Sequence, residues 1–527
     1  MNYLQKKKLA FMSIANQVKG FIRTIMGALP LTLEGCVDEE SIIDYKVYGQ
    51  SVQDGKPTPD NPVEVESVGE KTRNIWYPSV DALTSNGITC TRNNDNTYTV
   101  NGTATADFYF HIGKITIEVG TTYYLSGGTS QAPIAFQLRE GRTGVTTLHN
   151  HGGITTFSPT GEHSIDIINC VIVVRSGVEV NNVIVKPMIS LENTDEYEPY
   201  GYKIPIIASG KNLFDVNKWF PDYVNGDNSI SYTNDDFRTI YAVKILKGQF
   251  KENTQYSISL DYELTKNVDT NFGVIIVFTG NDGSRIVNKR LPDKATQGTY
   301  SGQFFATNPI DTSISSIAIA YNKVTEDMLI KLSNIQIEEG ETATTYEPYF
   351  EPVTTEIYLD EPLRGVKNKK YNYIDYIDYS TNLLHKKTAI HVLTGDENWV
   401  AASGYANTFQ FYPGYILDAG LCTHYMSAPY ASGYVGEKTC IYLAYTAVIK
   451  ITDLRYSDVE ELKSFLKEQY EAGNPVTCIY GIVNKAIDPI NVDLPKIPIF
   501  NGTSIISADT TIQPSNAEIE YYSNVKE

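Results

Sequence analysis

The sequence predicts a mainly β protein: tandem antiparallel β-sandwich domains of the jelly-roll type, with a short N-terminal helix before them and a β-rich C-terminal domain carrying one helix after them. Apolar and polar residues alternate with period two, as over residues 256–262, which is typical of half-buried strands. Turns rich in Asn, Asp and Gly separate such runs at residues 93–96, 225–228 and 281–283. The third observation is a repeat of domain size, which makes the sandwiches tandem.

The first element is a helix predicted within residues 1–37, where Pro30 should end it. Its apolar residues follow a heptad-like stripe: Phe11, Ile14, Val18, Phe21 and Ile25. A stripe of this kind has to be buried against another surface. We expect it to mediate oligomerisation or docking to a larger particle, and packing on its own domain is the alternative.

Residues 38–70 are predicted to be a strand and a connector. The strand covers residues 41–48, and residues 53–62 then contain Asp-Gly and three prolines. This composition is typical of a stiff, turn-rich segment.

The two sandwiches are predicted over residues 71–206 and 207–357. Each opens on a basic residue followed by Asn, an apolar residue and an aromatic residue, and each ends on Tyr-Glu-Pro-Tyr. The openings lie at residues 71–76 and 210–215, and the endings lie at residues 197–200 and 346–349. We expect Trp76 and Trp219 to seal the ends of the sandwiches.

A third β-rich unit is predicted over residues 358–485, followed by an extended segment over residues 486–527. The helix of the third unit should begin with a capping box formed by Ser457 and Glu460. It should end at Gly473.

Charge excludes some classes of function. The chain has 527 residues, with 43 Lys and Arg against 62 Asp and Glu, so its formal net charge is −19. A chain this acidic is a poor candidate for binding nucleic acid, because few cations are available to neutralise phosphates. No run of 18 apolar residues is present, so no membrane span is expected.

The cysteines and histidines predict neither a disulfide framework nor a metal centre. The six cysteines are interpreted as buried free thiols, with a pair between Cys422 and Cys440 as the alternative. His149, His151 and His163 cluster in a polar region where solvated histidines are usual. No cofactor is expected, although a structural Ca²⁺ at the turns of Asp95 or Asp282 is an alternative to ordinary hairpin turns.

The order of several motifs resembles tail, baseplate and receptor-binding proteins of phages that infect Gram-positive bacteria. These motifs include residues 44–62, 210–215, the Tyr-Glu-Pro-Tyr endings, 361–364 and 495–522. The single sandwiches resemble carbohydrate-binding modules of the jelly-roll type. The resemblance implies a virion protein, made in the host bacterial cytoplasm, that contacts host cell-wall polysaccharide. It also implies virion partners bound through the N-terminal helix, and a homotrimer.

Candidate carbohydrate-binding residues lie in the third unit, where aromatic residues alternate with Gly, Ala and Ser. They are Trp399, Tyr405, Tyr412, Tyr415, Tyr425, Tyr430 and Tyr434. Rigid amphipathic rings among small residues are typical of recognition loops. The alternative is that these rings belong to a core or to a protein interface.

We expect no enzymatic activity. Neither His-Glu-x-x-His nor Gly-x-Ser-x-Gly occurs. Asp375 and Asp378 would point to opposite faces of a strand, which does not favour a shared catalytic site. The alternatives are a purely structural adaptor of a baseplate or capsid decoration, and a glycan depolymerase.

Overall fold

The computed structural model gives a mainly β protein in which the named strands pair antiparallel. It describes residues 31–33, 42–128, 134–140, 146–150, 152–159, 168–234, 239–241, 253–265, 274–279, 285–290, 296–306, 316–321, 328–367, 371–414, 417–428, 438–443, 448–483, 490–492, 494, 497, 504–508 and 518–524. The predicted N-terminal stripe, from Phe11 to Ile25, lies outside these residues. No helix in the described part of the chain is long and apolar enough to cross a membrane.

Short strands precede the first sandwich. They are β1 (Leu31–Leu33), β2 (Ile42–Tyr48), β3 (Ser51–Val52), β4 (Glu66–Ser67) and β5 (Glu70–Lys71). The strand predicted over residues 41–48 is therefore present as β2. β3 pairs with β4, so the two ends of the proline-rich connector are held together.

The first module is a sandwich. Its strands are β6 (Ala82–Ser85), β7 (Ile88–Arg92), β8 (Tyr98–Thr103), β9 (Phe108–Ile115), β10 (Tyr123–Ser126), β11 (Ile134–Glu140), β12 (Thr146–Asn150), β13 (Thr155–Phe157), β14 (Ile168–Val174), β15 (Glu179–Val185) and β16 (Met188–Ser190). Sheets β15-β8-β7-β6 and β12-β11-β14-β9 share one core, and a smaller sheet, β13-β10-β16, adds to it. Tyr98 and Phe110 meet across this core edge to face at 5.7 Å. Trp76 is buried in it over Gly113, where a Cβ would come within 2.9 Å of the indole.

The second module repeats this architecture after strand β17 (Tyr202–Gly210). Its elements are α1 (Val216–Trp219), β18 (Ile230–Asn234), β19 (Thr239–Tyr241), β20 (Thr254–Leu264), β21 (Val274–Thr279), β22 (Arg285–Arg290), β23 (Gln297–Ala306), β24 (Ser316–Tyr321) and β25 (Met328–Glu339). Its sheets are β18-β25-β20-β23 and β19-β24-β21-β22. Trp219 is fully buried in its core, 4.8 Å from the Phe214 ring.

Equivalent hydrogen bonds occur in the two modules, in addition to the sequence motifs that the modules have in common. In the first, the Asp95 carboxylate accepts from the N–H and hydroxyl of Thr97 at 3.1 and 2.6 Å. In the second, Asp227 accepts from the N–H and hydroxyl of Ser229 at 3.1 and 2.5 Å. The two predicted turns therefore have the same structure, in which an aspartate side chain accepts hydrogen bonds from the residue two positions later.

A buried asparagine locks the opening of each module to its last strand. The side-chain oxygen of Asn74 accepts from the N–H two residues later and from a β16 N–H, at 3.2 and 3.3 Å. Asn212 makes the equivalent bonds, to the N–H two residues later and to a β25 N–H, at 2.9 and 3.2 Å. Both residues are at most 2% exposed, so the bonds satisfy backbone donors that water cannot reach.

The third module follows a second group of connecting strands, and its helix packs on its core. The connecting strands are β26 (Val353–Leu359), β27 (Gly365–Lys367), β28 (Asn372–Ile374), β29 (Tyr376–Asp378) and β30 (Leu383–His385). The module contains β31 (Thr388–Leu393), β32 (Val400–Ala401), β33 (Thr408–Phe411), β34 (Leu417–Cys422), β35 (Cys440–Tyr442), β36 (Ile449–Thr452), α2 (Val459–Glu471) and β37 (Val476–Ile482). Its sheets are β31-β37-β34 and β32-β33-β36-β35.

The predicted helix is α2, but its capping box lies one residue later than predicted. Asp458 is the N-cap and accepts from the N–H groups of Glu460 and Glu461. Ser457 instead donates its N–H and hydroxyl to the Glu461 carboxylate. Asp accepts at least as well as Ser at an N-cap, so the carboxylate takes this position.

A fourth sandwich, which we call the hub, connects the three modules. The chain ends with β38 (Ile490–Asn491), β39 (Ser504–Ala508) and β40 (Glu518–Asn524). One hub sheet is β1-β39-β17-β26 with β5 beside β17, and the other is β38-β30-β29-β2-β40. Tyr45 and Val47 of one sheet share a buried cluster with Ile204 and Ile357 of the other. The segments that were interpreted as a connector and an extended tail thus supply hub strands.

Each module is inserted between two neighbouring hub strands. The first lies between β5 and β17, which pair through Lys71 and Tyr202. The second lies between β17 and β26, and the third lies between β30 and β38. Because the chain leaves and returns at adjacent strands, each module has the closely spaced ends of an inserted domain.

Candidate functional site

The structure separates the predicted carbohydrate-binding residues into two groups. Trp399 and Tyr425 are 4% and 1% exposed, whereas Tyr405 and Tyr412 are 47% and 64% exposed. The other three candidates, Tyr415, Tyr430 and Tyr434, lie outside the described residues. Only an exposed ring can stack on a sugar. Within the described part of the third module, the candidate site therefore consists of Tyr405 and Tyr412.

Trp399 is a core residue, which corrects its predicted role. Its indole meets Phe411 edge to face at 4.6 Å, and its Nε1–H donates to Glu397 at 3.1 Å. With 4% of its surface exposed, the ring belongs to the third module's core.

The Glu397 carboxylate closes the turn that leads to this tryptophan. It accepts from the N–H groups of Thr394 and Gly395 at 2.7 and 3.0 Å. Burial alone would raise the pKa of Glu397. The His391 imidazole, 3.8 Å from the carboxylate, and hydrogen bonds from Thr394 and Trp399 outweigh burial and lower that pKa to about 2. The turn is thus held by an ionised carboxylate.

Tyr425 is also a core residue and not a sugar-stacking one. Its hydroxyl donates to Asp453 at 2.9 Å, and Asp453 is fully buried. Burial and the neighbouring Asp453 raise the pKa of Tyr425. Arg455 donates to the same carboxylate at 2.7 Å, so the buried charge is compensated.

The exposed tyrosines border the outer face of the sheet β32-β33-β36-β35, because Tyr405 lies in the turn between β32 and β33 and Tyr412 directly follows β33. Val400, Gln410 and Lys450 are direct cross-strand neighbours in a row on this face. Phe409 and Ile451 alternate with them and point into the core. Period-two alternation therefore places an amide, an ammonium and an aliphatic group side by side on the surface.

The two tyrosines flank this row and contact it. The Lys450 ammonium lies 5.6 Å from the centroid of the Tyr405 ring, and the Gln410 amide donates to the Tyr412 hydroxyl at 3.3 Å. We call the five residues Val400, Tyr405, Gln410, Tyr412 and Lys450 the platform.

The platform combines the groups that recognise a polyhydroxylated ligand. Aromatic faces offer apolar contact area, while the tyrosine hydroxyls can form hydrogen bonds. The Gln410 amide both donates and accepts, and the Lys450 ammonium donates. An exposed sheet face of this kind suits a polymer chain better than a small molecule, which usually needs an enclosing pocket.

Sequence reasoning missed the way in which the proline-rich connector braces the third module. Gln53 donates its amide to the Cys422 carbonyl at 2.9 Å, and the Val63 N–H donates to the Thr423 carbonyl at 2.8 Å. Arg455 also reaches Asp60 at 2.9 Å. The signal is the stiff, turn-rich composition of residues 53–62, which predicts a connector but does not indicate what the connector contacts.

The two aspartates considered for catalysis are structural. Asp375 is 2% exposed and accepts from the N–H groups of Lys387 and Thr388 at 2.7 and 2.9 Å. Burial raises the pKa of Asp375, and these hydrogen bonds oppose the rise. Asp378 pairs with Lys46 at 3.1 Å and accepts from the Ser380 hydroxyl.

The described residues contain no group of three or more His, Cys, Asp or Glu side chains placed to hold a metal ion. The Asp95 carboxylate closes its own turn, as described above. Asp282, His151, His163 and the side chain of His149 lie outside the described residues.

No family model matches the chain, and no curated protein matches it. A structure described as "CBM4 structure and function" aligns at 10% identity over 26% of this chain and 94% of its own, with a TM-score of 0.18. The tripod BppUct-A-L from the baseplate of bacteriophage Tuc2009 aligns at 13% identity over 40% and 90%, with a TM-score of 0.21.

The tandem CBM22-1–CBM22-2 domain of Paenibacillus barcinonensis Xyn10C aligns at 10% identity over 52% of this chain and 98% of its own, with a TM-score of 0.16. Scores this low leave the function to be inferred from the residues of this chain.

Proposed function

We propose that this protein is a virion component of a phage tail tip, baseplate or fibre, and that it adheres to carbohydrate on the host cell surface through the platform. The observation that carries the proposal is the exposure of Tyr405 and Tyr412 beside Gln410 and Lys450 on one sheet face. The motif order that resembles phage tail and baseplate proteins supports the virion location.

The architecture supports a role in presentation. The third module is held by its insertion between β30 and β38 and by the connector brace. Its platform lies on the outer side of a sheet whose inner side packs on the core. A fixed platform loses little orientational freedom when it binds, which favours affinity.

We propose further that residues 1–37 join the chain into a homotrimer and dock it to other virion proteins. Three platforms on one particle would convert weak single-site binding into firm adhesion through a high effective concentration. The test is the native mass of the full chain and of an Ile14→Asp, Phe21→Asp variant. A monomeric wild-type mass would contradict this part of the proposal.

The binding test uses the full chain and purified wall polysaccharide from Gram-positive bacteria. We expect Tyr405→Ala together with Tyr412→Ala to lower the affinity at least tenfold. The matched control is Tyr470→Ala, since Tyr470 is 49% exposed in the same module but lies on α2. Equal binding by the wild type and the double variant, or no binding by the wild type, would refute the proposal.

The hub is the observation that favours a second candidate, a structural adaptor without a ligand site, because it holds three inserted modules together. Unchanged adsorption of intact particles that carry the platform double variant would favour this adaptor.

We propose that the protein is not an enzyme. The test is incubation of the full chain with host cell walls, and release of reducing sugars would instead show a depolymerase.

A further inference from the structure

Cys422 and Cys478 are directly opposite each other on neighbouring strands of the third module. β34 and β37 pair antiparallel with Cys422 in register with Cys478. The next pair, Thr423 and Thr477, is joined by an N–H to carbonyl hydrogen bond of 3.0 Å. Because hydrogen-bonded and non-hydrogen-bonded pairs alternate, the cysteines form a non-hydrogen-bonded pair.

This position suits a disulfide. The Cα atoms of non-hydrogen-bonded pairs are about 4.5 Å apart, within the span of about 4.4–6.8 Å that disulfides bridge. Both side chains point into the same core and are fully buried there. We infer that Cys422 and Cys478 are a disulfide site, which closes when the protein meets an oxidising environment.

The structure corrects the pairing considered from the sequence. Cys440 faces the opposite side of its sheet, in a separate cluster with Ala428 and Tyr442. The hydrophobic core of Cys422 and Cys478 does not include it. A bond from Cys422 to Cys440 would require one of the two side chains to cross a sheet.

The reaction is a thiol–disulfide exchange with a low-molecular-weight disulfide, such as oxidised glutathione. One protein thiolate attacks a glutathione sulfur and releases one glutathione thiol, which leaves a mixed disulfide. The second protein thiolate then attacks the protein sulfur of this mixed disulfide and releases the other glutathione. Two S–H bonds of the protein and the S–S bond of oxidised glutathione are broken, and one protein S–S bond is formed. The protein dithiol is oxidised, and the disulfide is reduced to two glutathione thiols, which take up both protons.

Burial sets the rate of this reaction. Both cysteines are fully buried in the closed module, so a low-molecular-weight disulfide cannot reach their sulfur atoms. Exchange therefore requires a local opening of β34 or β37, or takes place during folding. Once formed, the bond encloses the chain between residues 422 and 478, which contains β35, β36 and α2.

The test is peptide mapping of the full chain after oxidation. Cleavage after Lys and Arg places the three cysteines of this module on separate peptides, residues 388–438, 439–450 and 468–485. One sample is incubated folded with oxidised glutathione, and a second is refolded from urea in oxidised and reduced glutathione. We expect a linked pair of peptides 388–438 and 468–485, which separates on reduction.

Stability provides the second readout. Oxidation should raise the melting temperature of the third module by about 10 °C. The Cys440→Ala variant should keep this rise, while Cys478→Ala should abolish it. Free thiols at Cys422 and Cys478 in both samples, or a link from either residue to Cys440, would overturn the inference.

Discussion

Replacing Glu397 by Gln should destabilise the third module in a pH-dependent way. One carboxylate oxygen accepts from Thr394, and the other accepts from Gly395 and from the Trp399 indole. A glutamine has one acceptor oxygen, so its NH₂ group would face at least one of these donors. The substitution removes the charge and at least one hydrogen bond from a carboxylate that is 11% exposed.

The magnitude follows from the pKa of Glu397, which the fold lowers from 4.5 to about 2. This shift corresponds to about 3 kcal/mol, and partial solvent screening reduces it to about 2 kcal/mol. A carboxylate with a lowered pKa in the folded state contributes stability that is fully present above about pH 5 and is lost as the pH falls toward 2. The variant should therefore be less stable by about 2 kcal/mol at pH 7, and by much less near pH 2.5.

The assay uses the distribution of tryptophan, because the chain has three and each module buries one. Replacing Trp76 and Trp219 by Phe leaves Trp399 as the fluorescent reporter of third-module unfolding. Urea unfolding is measured for this double Phe variant with and without Glu397→Gln, at pH 7 and at pH 2.5. The change in unfolding free energy caused by Glu397→Gln is then compared between the two pH values. An equal difference at both pH values would refute the role of an ionised Glu397.

Three further substitutions test the packing of the modules. Gly113→Val should destabilise the first module by about 2 kcal/mol, because its side chain would clash with the Trp76 indole; single-reporter fluorescence of Trp76 checks this. Arg455→Ala should cost the third module about 3 kcal/mol in urea unfolding, since it leaves the buried Asp453 without its cation. Asn212→Ala should lower the second module's melting temperature and leave the others unchanged, as differential scanning calorimetry would show.

Local patterns in the sequence predicted the elements that local physics determines. Residues 93–96 and 225–228 form the predicted turns, because an aspartate two residues before a hydroxyl residue closes such a turn with its own side chain. The helix α2 was predicted for a similar reason, since its cap and apolar stripe lie within one short segment. The cap was misplaced by one residue because Ser457 and Asp458 are both good N-cap residues.

The hub could not be predicted in this way. β17 pairs with β39, and β2 pairs with β40, across separations of several hundred residues that leave no local signal. The sequence also did not indicate which aromatic residues of the third module are exposed and which are buried. Trp399, Tyr405 and Tyr425 lie outside the strands, where no two-residue period assigns a side chain to a face.

Hydrogen–deuterium exchange of the full chain, with and without purified Gram-positive wall polysaccharide, tests the central claim most directly. The account predicts slower exchange on binding over residues 400–412 and 449–452, the strands and turn that carry the platform. Protection confined to the first or second module, or no protection at a polysaccharide concentration that saturates binding, would contradict it.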